Sequence, residues 1–211
     1  MSFTLDPART AVLVIGLQND NVADDGASGG TAALVHAREV GVVANAARIA
    51  DAARQTGVPV IHVHFVVDPE TGGAGTNIPL FEAITTHRTV ERDTYGAAPV
   101  TGAEPVTGDL RVERSRMSAF HDTALDTILR CAGKTHLVLT GVHTNHAVGT
   151  TARDAADLGY TPLVVSDATA STTADAHAAD LLYGFADIAP VIETNAVLAA
   201  LDQGDLKEEA R

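Results

Sequence analysis

This chain is poor in the residues that disulfides, metal clusters and nucleic-acid surfaces require. It has a single cysteine, Cys131, which excludes an internal disulfide and any multi-cysteine metal cluster. Only 14 Lys plus Arg stand against 27 Asp plus Glu, and the net charge of −13 argues against a phosphate backbone or an anionic membrane as partner. No apolar run approaches the roughly 20 residues that span a bilayer, and the start of the chain lacks a basic segment followed by an apolar one. We therefore expect a cytoplasmic protein without a nucleic-acid or membrane partner.

The length and the order of apolar segments predict one α/β domain. With 211 residues, 45% of them hydrophobic, the chain can fill one core but is short for two. We place the domain at residues 1–201 and a charged C-terminal tail at 202–211. Short apolar runs bounded by Gly, Pro or Asp suit buried strands. They lie at 11–15, 60–67, 136–139, 162–165 and 189–192, with a weaker sixth candidate at 111–113.

Helical patterns separate these strand candidates. They cover residues 40–55, 124–132, 148–158, 174–185 and 195–201. Alternation of this kind is typical of a three-layer sandwich, here with a six-stranded, mainly parallel sheet between two helical layers. Two stretches interrupt it, the glycine-rich segment 21–30 and the long connection 68–109. Loops of that length either line a site or are surface insertions, and the sequence leaves both readings of 68–109 open.

The carboxyl ends of the strands are the places to look for a site, because open parallel sheets bind ligands there. Polar side chains gather at these ends. They fall in 16–20, 64–68, 114–120 and 143–147, and at Asp167.

Three motifs at these ends resemble those of the isochorismatase-like superfamily of cysteine hydrolases. Ile15-Gly16-Leu17-Gln18-Asn19-Asp20 is similar to the Asp-x-Gln-Asn-Asp that follows the first strand in that family. Arg114-Ser115-Arg116-Met117-Ser118-Ala119-Phe120 resembles Lys-x-Arg-x-Ser-Ala-Phe. The segment from Gly141 to Val148 resembles the Gly-Val-x-Thr-Asn-x-Cys-Val turn that carries the nucleophile. The resemblance implies the family's fold over almost the whole chain.

The same resemblance shows that the residues of the family's covalent mechanism are replaced. In the family an aspartate accepts the thiol proton, a lysine stabilises charge and the cysteine attacks a carbonyl. These positions fall on Gly16, Arg114 and Ala147. Glycine and alanine supply neither base nor nucleophile, and arginine does not titrate as lysine does. Cys131, at the end of a predicted helix on the wrong side of the fourth strand, is expected to be a buried structural thiol.

The resemblance leaves a pocket suited to an anion. In the family, amides at the positions of His146 and Ala147 form an oxyanion hole, aimed with the help of a cis peptide between Val142 and His143. The start of the helix after the fourth strand favours negative charge, and Arg114 keeps a positive charge beside it. An alternative is that Arg114 is a surface arginine paired with Glu113. The small side chains at positions 16 and 147 either enlarge the pocket or are compensated by their neighbours.

Histidines are the remaining acid–base groups. His143 is favoured as a general acid or base or as a substrate contact, with His64 second. His146 either packs behind the turn or reaches the substrate. A metal site formed by His64, His143 and Asp20 is a weaker alternative, since no ligand spacing supports it. Asp20 either donates a proton or holds the first loop.

These observations predict a cofactor-independent enzyme that acts on a small anionic or aromatic metabolite. It would cleave a C–O or C–N bond by acid–base and electrostatic catalysis, without a thioester and without a metal. The alternatives are an inactive relative that binds a small molecule or serves as a scaffold, and a substrate-trapping variant. We also expect a homo-oligomer, either a dimer or a tetramer. The predicted catalytic residues are His143, Asp20 and Arg114, and the predicted substrate contacts are Gly16, Gln18, His64, Arg116, Phe120, His146 and Ala147.

Overall fold

The predicted six-stranded α/β fold is confirmed, and every strand pairing is parallel. A computed structural model of the protein describes residues 5–208, with the side chains of residues 5–202. The sheet order is β3-β2-β1-β4-β5-β6. The strands are β1 (Thr10–Ile15), β2 (Val60–Phe65), β3 (Leu110–Arg114), β4 (His136–Val142), β5 (Thr161–Ala170) and β6 (Val191–Ile192). The weak candidate at 111–113 is the edge strand β3.

Helices connect the strands across both faces of the sheet. Within the described residues they are α1 (Asn19–Val22), α2 (Ala32–Val40), α3 (Val42–Gln55), α4 (Pro79–His87), α5 (Leu125–Cys131), α6 (Gly149–Asp157), α7 (Ala174–Ala179) and α8 (Thr194–Glu208). The predicted tail begins inside α8, while 209–211 lie outside the described residues. In this part of the chain no helix is both long enough and apolar enough to cross a membrane.

Two apolar cores lie on opposite faces of the sheet. On one face α3 buries Ala46, Ile49, Ala50 and Ala53, which follow helical spacing, against the sheet and α8. On the other face α5 and α6 pack on the opposite side chains of β1 and β4. A smaller cluster lies beyond the end of β2, where Phe81 of α4 packs with Phe65.

The strand order reverses between β1 and β4, and this switch point positions the site. The two strands are paired up to Ile15 and Gly141, so the loop after β1 and the turn after β4 begin side by side. An open crevice at such a point is the usual ligand site of an open α/β sheet.

Candidate active site

A cavity of about 250 Å³ lies at the carboxyl ends of β2, β3 and β4, beside the switch point. The β1–α2 loop, α4 and the turn after β4 complete its wall. Its lining is mainly apolar with a few polar groups, as is usual for small-molecule sites. The lining residues are Asp20, Asn21, Ala27, Ser28, Phe65, Leu80, Ala83, Ile84, His87, Thr89, Val90, Arg114, Met117, Val142, His143, His146 and Ala147.

The turn after β4 brings three of the predicted residues to this cavity. Gly141 has φ of 108°, and a Cβ there would lie 1.9 Å from the carbonyl oxygen of Ile15, so only glycine fits. The peptide bond between Val142 and His143 is cis. A π-helical turn (Thr144–Val148) then leads into α6. His143, His146 and Ala147 all line the cavity as a result.

Arg114, at the end of β3, is a buried cation in the cavity wall. Its residue exposure is 6%, and none of the ion pairs among the described side chains includes it. The alternative partner, Glu113, pairs instead with Arg92 at 2.9 Å. Burial lowers the pKa of Arg114 to about 9, so the guanidinium is still charged at neutral pH.

The protein gives the guanidinium of Arg114 few partners. Nη1 donates to the carbonyl of Arg116, and the guanidinium carbon lies 4.8 Å from the centre of the Phe65 ring. Nε is buried without a hydrogen-bond partner among the described residues. Nη2 therefore remains the nitrogen available to a ligand in the cavity.

His143 presents a neutral imidazole to the same cavity. Burial, reinforced by the neighbouring His146, His36 and Arg114, lowers the pKa of His143 to about 4. Its Nδ1 is buried and has no partner among the described residues, which leaves Nε2 to face a ligand. Because the ring is uncharged near pH 7, its chemistry there is that of a base or a hydrogen-bonding group. It is not a cationic acid.

The predicted oxyanion amides are only partly free. The amide of His146 donates to the carbonyl of His143 at 3.0 Å, so it is engaged within the turn. The amide of Ala147 is the remaining candidate donor. The His146 ring itself lines the cavity, 6.2 Å from the ring of His143 in an edge-on arrangement, and burial lowers the pKa of His146.

Asp20 borders the cavity but holds two loops together. One carboxylate oxygen accepts the amide of Val90 at 2.6 Å, and the other accepts the amide of Ala27 at 3.0 Å. Val90 has φ of 50°, an unfavourable conformation for a β-branched residue, and the bond from Asp20 helps to fix it. Of the two roles considered for Asp20, this geometry favours the holding of the loops.

Gly16 has a backbone conformation that suits glycine. Its φ is 66°, and a Cβ there would lie 2.8 Å from the carbonyl oxygen of Val142. Its amide donates to Val63 and its carbonyl accepts from the side chain of Asn21. Gly16 is not among the lining residues, so of the two small positions only Ala147 borders the cavity.

Besides Gly16, four predicted substrate contacts lie away from this cavity. Gln18 is fully buried and binds backbone groups of Phe65 and Ala97, each at 2.8 Å. Phe120 stacks on Tyr160 in the core, with ring centres 5.5 Å apart. His64 and Arg116 also lie outside the lining.

The last two have other surroundings. His64 borders a separate polar groove at the sheet edge, and burial lowers its pKa to about 4. Arg116 binds backbone carbonyls and lies over the ring of Phe81. With His64 on the other face of β2, the alternative metal site is not assembled, and no group of three His, Cys, Asp or Glu side chains among the described residues could hold a metal ion.

Sequence reasoning missed the contribution of α4. Leu80, Ala83, Ile84 and His87 line the cavity from one face of this helix. Their spacing of three, four and seven residues was the available signal. Phe65, Met117 and Ser28 were also not predicted as contacts; for Ser28 the available signal was its place in the glycine-rich segment 21–30.

The fold and the turn after β4 agree with the family that the motifs indicate. Residues 10–196 match the model of the isochorismatase domain, and the chain belongs to the isochorismatase family. It is 34% identical over 178 residues to the ureidoacrylate amidohydrolase RutB of Rhizobium rhizogenes. The matched region covers 79% of this chain and 72% of that protein.

Two further matches add to this comparison. A protein of Arabidopsis thaliana described as a "Probable inactive nicotinamidase" is 32% identical over 189 residues, which is 82% of this chain and 87% of that one. The crystal structure of a cysteine hydrolase from Pseudomonas syringae matches with a TM-score of 0.84 at 24% identity and covers 96% of both chains. This last likeness shows the shared fold.

Proposed function

We propose that the protein acts on a small metabolite carrying an anionic group, with Arg114 as the anion-binding residue and His143 as the base. The reaction is the cleavage of a C–O or C–N bond by water, without a covalent enzyme intermediate. The absence of a thiol at Ala147 and of a carboxylate at Gly16 supports a non-covalent route.

The observation that carries this proposal is the unpaired charge of Arg114. A buried cation without an anionic partner is destabilising, since burial removes its hydration, and the carbonyl of Arg116 and the ring of Phe65 replace that hydration only in part. Such a group is retained at a cost to stability, and an anionic ligand at Nη2 would supply the missing partner. Ureidoacrylate, in the name of one relative, carries a carboxylate, as does isochorismate in the name of the domain.

His143 supplies the proton transfer in this scheme. Its Nε2 accepts a proton from the attacking water while the water oxygen bonds to the substrate carbon. The same proton then passes to the leaving oxygen or nitrogen as the C–O or C–N bond breaks, so His143 ends neutral as it began. Arg114 and the amide of Ala147 stabilise the negative charge that develops.

A second candidate is a binding protein without turnover. It is favoured by Asp20, whose two oxygens are engaged by Val90 and Ala27, so that this carboxylate is not free to act as a second acid–base group beside His143. The relative from Arabidopsis thaliana described as a "Probable inactive nicotinamidase" supports this candidate as well.

Incubation in ¹⁸O-labelled water distinguishes the two candidates. Ureidoacrylate, isochorismate and neutral nicotinamide are each incubated with the protein, and products and intact protein are examined by mass spectrometry. The proposal predicts product that contains ¹⁸O from an anionic compound, no acyl adduct on the protein, and loss of product in His143→Gln. Binding of the anions without any product supports the second candidate. Turnover of nicotinamide with an adduct on the protein contradicts both.

A further inference from the structure

The face of α4 that meets the cavity carries apolar side chains and one histidine at its end. Leu80, Ala83, Ile84 and His87 follow one another at helical spacing, and all four line the cavity. Phe81 points elsewhere and is buried, with its ring 6.4 Å from that of Phe65. The buried ring of Phe81 therefore anchors α4 to the protein, while a different face of the helix lines the cavity.

This apolar face is only partly covered by protein, since Leu80 and Ile84 pack against the small cluster that contains Phe65 and Phe81. Ala83 is exposed, and Leu80 and Ile84 are only partly buried, although Phe81 between them is 6% exposed. Phe65, Val90 and Met117 add apolar surface to the same cavity. Uncovered apolar surface in a concave site gains free energy when a ligand removes it from water.

Arg114 and Asp20 both line the cavity, and the carboxylate oxygens of Asp20 are engaged by the amides of Val90 and Ala27. Arg114 lies at the end of β3 with its guanidinium over Phe65, whereas α4 contributes no charged carboxylate or arginine to the lining. A ligand that satisfies both features carries one anionic group and an apolar body. A compact polar anion would leave the apolar side chains of α4 exposed to water.

We propose that the α4 face (Leu80, Ala83 and Ile84) determines specificity, selecting aryl or medium-chain alkyl carboxylates over short polar anions. This inference rests on the proposed role of Arg114 in anion binding. The carboxylate pairs with Nη2 of Arg114, and the aryl or alkyl group covers the side chains of α4. The affinity should then rise with apolar size until the cavity is filled, by about fourfold for each buried methylene.

A series of carboxylates tests this directly. Acetate, butanoate, hexanoate and benzoate are titrated into the full chain by calorimetry, with displacement of benzoate used for the weak acids. In the parent protein the affinity should rise from acetate to hexanoate. In Ala83→Leu, which fills the cavity, hexanoate and benzoate should weaken by about tenfold or more while acetate is unchanged. Ile84→Ala should lower the gain for each methylene.

A matched control and a second comparison keep the outcomes distinct. Thr86→Leu adds similar bulk to α4 at a position outside the lining and should leave the series unchanged. If Ala83→Leu does not fold, Ile84→Ala carries the test. A flat series in the parent protein, or one that neither α4 variant alters, overturns the role of α4, even if Arg114→Met weakens every acid equally. If Arg114→Met alters none of the acids, the proposed function itself has failed.

Discussion

The guanidinium carbon of Arg114 lies 4.8 Å from the centre of the Phe65 ring, and no described carboxylate pairs with this cation. Contact with an aromatic face contributes about 0.5–2 kcal/mol, less than the several kcal/mol that burial of an ion costs. The folded protein without a ligand therefore carries a net cost in free energy from the burial of this charge. Because an anionic ligand would reduce that cost, the stability of the protein depends on the occupancy of the cavity.

Replacing Arg114 by methionine should therefore stabilise the free protein. Methionine keeps the length of the stem and removes the buried charge. Replacement of buried ion pairs by apolar side chains stabilises by up to about 1–4 kcal/mol, and we expect a gain of that order for this unpaired cation. For a chain of 211 residues this corresponds to a rise in Tm of roughly 2–4 °C for each kcal/mol. Thermal unfolding followed by circular dichroism measures it. A lower Tm in the variant would mean that Arg114 has a partner that this account overlooks.

The pH profile of kcat/KM should have an acid limb and an alkaline limb that are widely separated in pH. Activity requires neutral His143 and charged Arg114, whose pKa values are about 4 and about 9 because of burial. The rate should rise as the pH increases through about 4, stay level near neutrality and fall through about 9. A steady-state pH profile with the substrate found in the ¹⁸O experiment tests this. A limb near pH 6.5 would assign the base to an unperturbed histidine.

Changing His143 should affect turnover more than binding. His143→Gln retains a polar side chain in the cavity but cannot accept and return a proton, so kcat should fall by about a hundredfold or more. The Kd of benzoate should change by less than about threefold. His121→Gln, at an exposed position outside the lining, is the control. Equal losses in kcat and affinity would make His143 a binding residue only.

Restoring the family cysteine should not restore an amidase. Ala147→Cys supplies a thiol at the lining position, but Gly16 stands where the family has its aspartate base. His143 lines the same cavity, but burial lowers its pKa to about 4, so it is too weak a base to hold the proton of a thiol. Adding an aspartate at position 16 is expected to strain the backbone, because its Cβ would meet the carbonyl of Val142 at 2.8 Å. Ammonia release from nicotinamide should stay at the blank in Ala147→Cys. An acyl adduct at that cysteine with turnover would show that another base is present. Cys131, expected to be buried, is exposed at the end of α5 and is not among the residues that line the cavity. An adduct on Cys131 in the parent chain would show that the active thiol was misplaced.

The fold could be predicted because its signals are local and repeated. β1 carries the apolar run 11–15 and β4 the apolar run 137–139, and helical spacing is clear in the segments between the strands. The helix α4 was not predicted for two reasons. Its N-cap residue is Ile78, whose side chain cannot cap a helix, and the surrounding sequence is rich in Gly, Pro and Thr. The break between α2 and α3 depends on Gly41 in the left-handed conformation.

The site was less predictable, since side-chain direction and burial decide it. Gln18 follows a strand end, as many ligand contacts do, yet its amide binds only backbone groups. His64 is the sequence neighbour of Phe65, which lines the cavity, but the two side chains lie on opposite faces of β2. In Arg114, the residue type indicated charge, whereas only the structure shows that the charge is buried without a partner.

Recognition of an anion by Arg114 is tested most directly by comparing benzoate with benzamide, which has nearly the same shape but no charge. Calorimetric titration of both compounds is carried out at pH 7 on the parent protein, on Arg114→Met and on Arg111→Met. The last variant removes the same charge from the other face of β3. The account predicts that the parent protein and Arg111→Met bind benzoate at least tenfold more tightly than benzamide, and that Arg114→Met binds both alike. An equal preference for benzoate in all three proteins would contradict it.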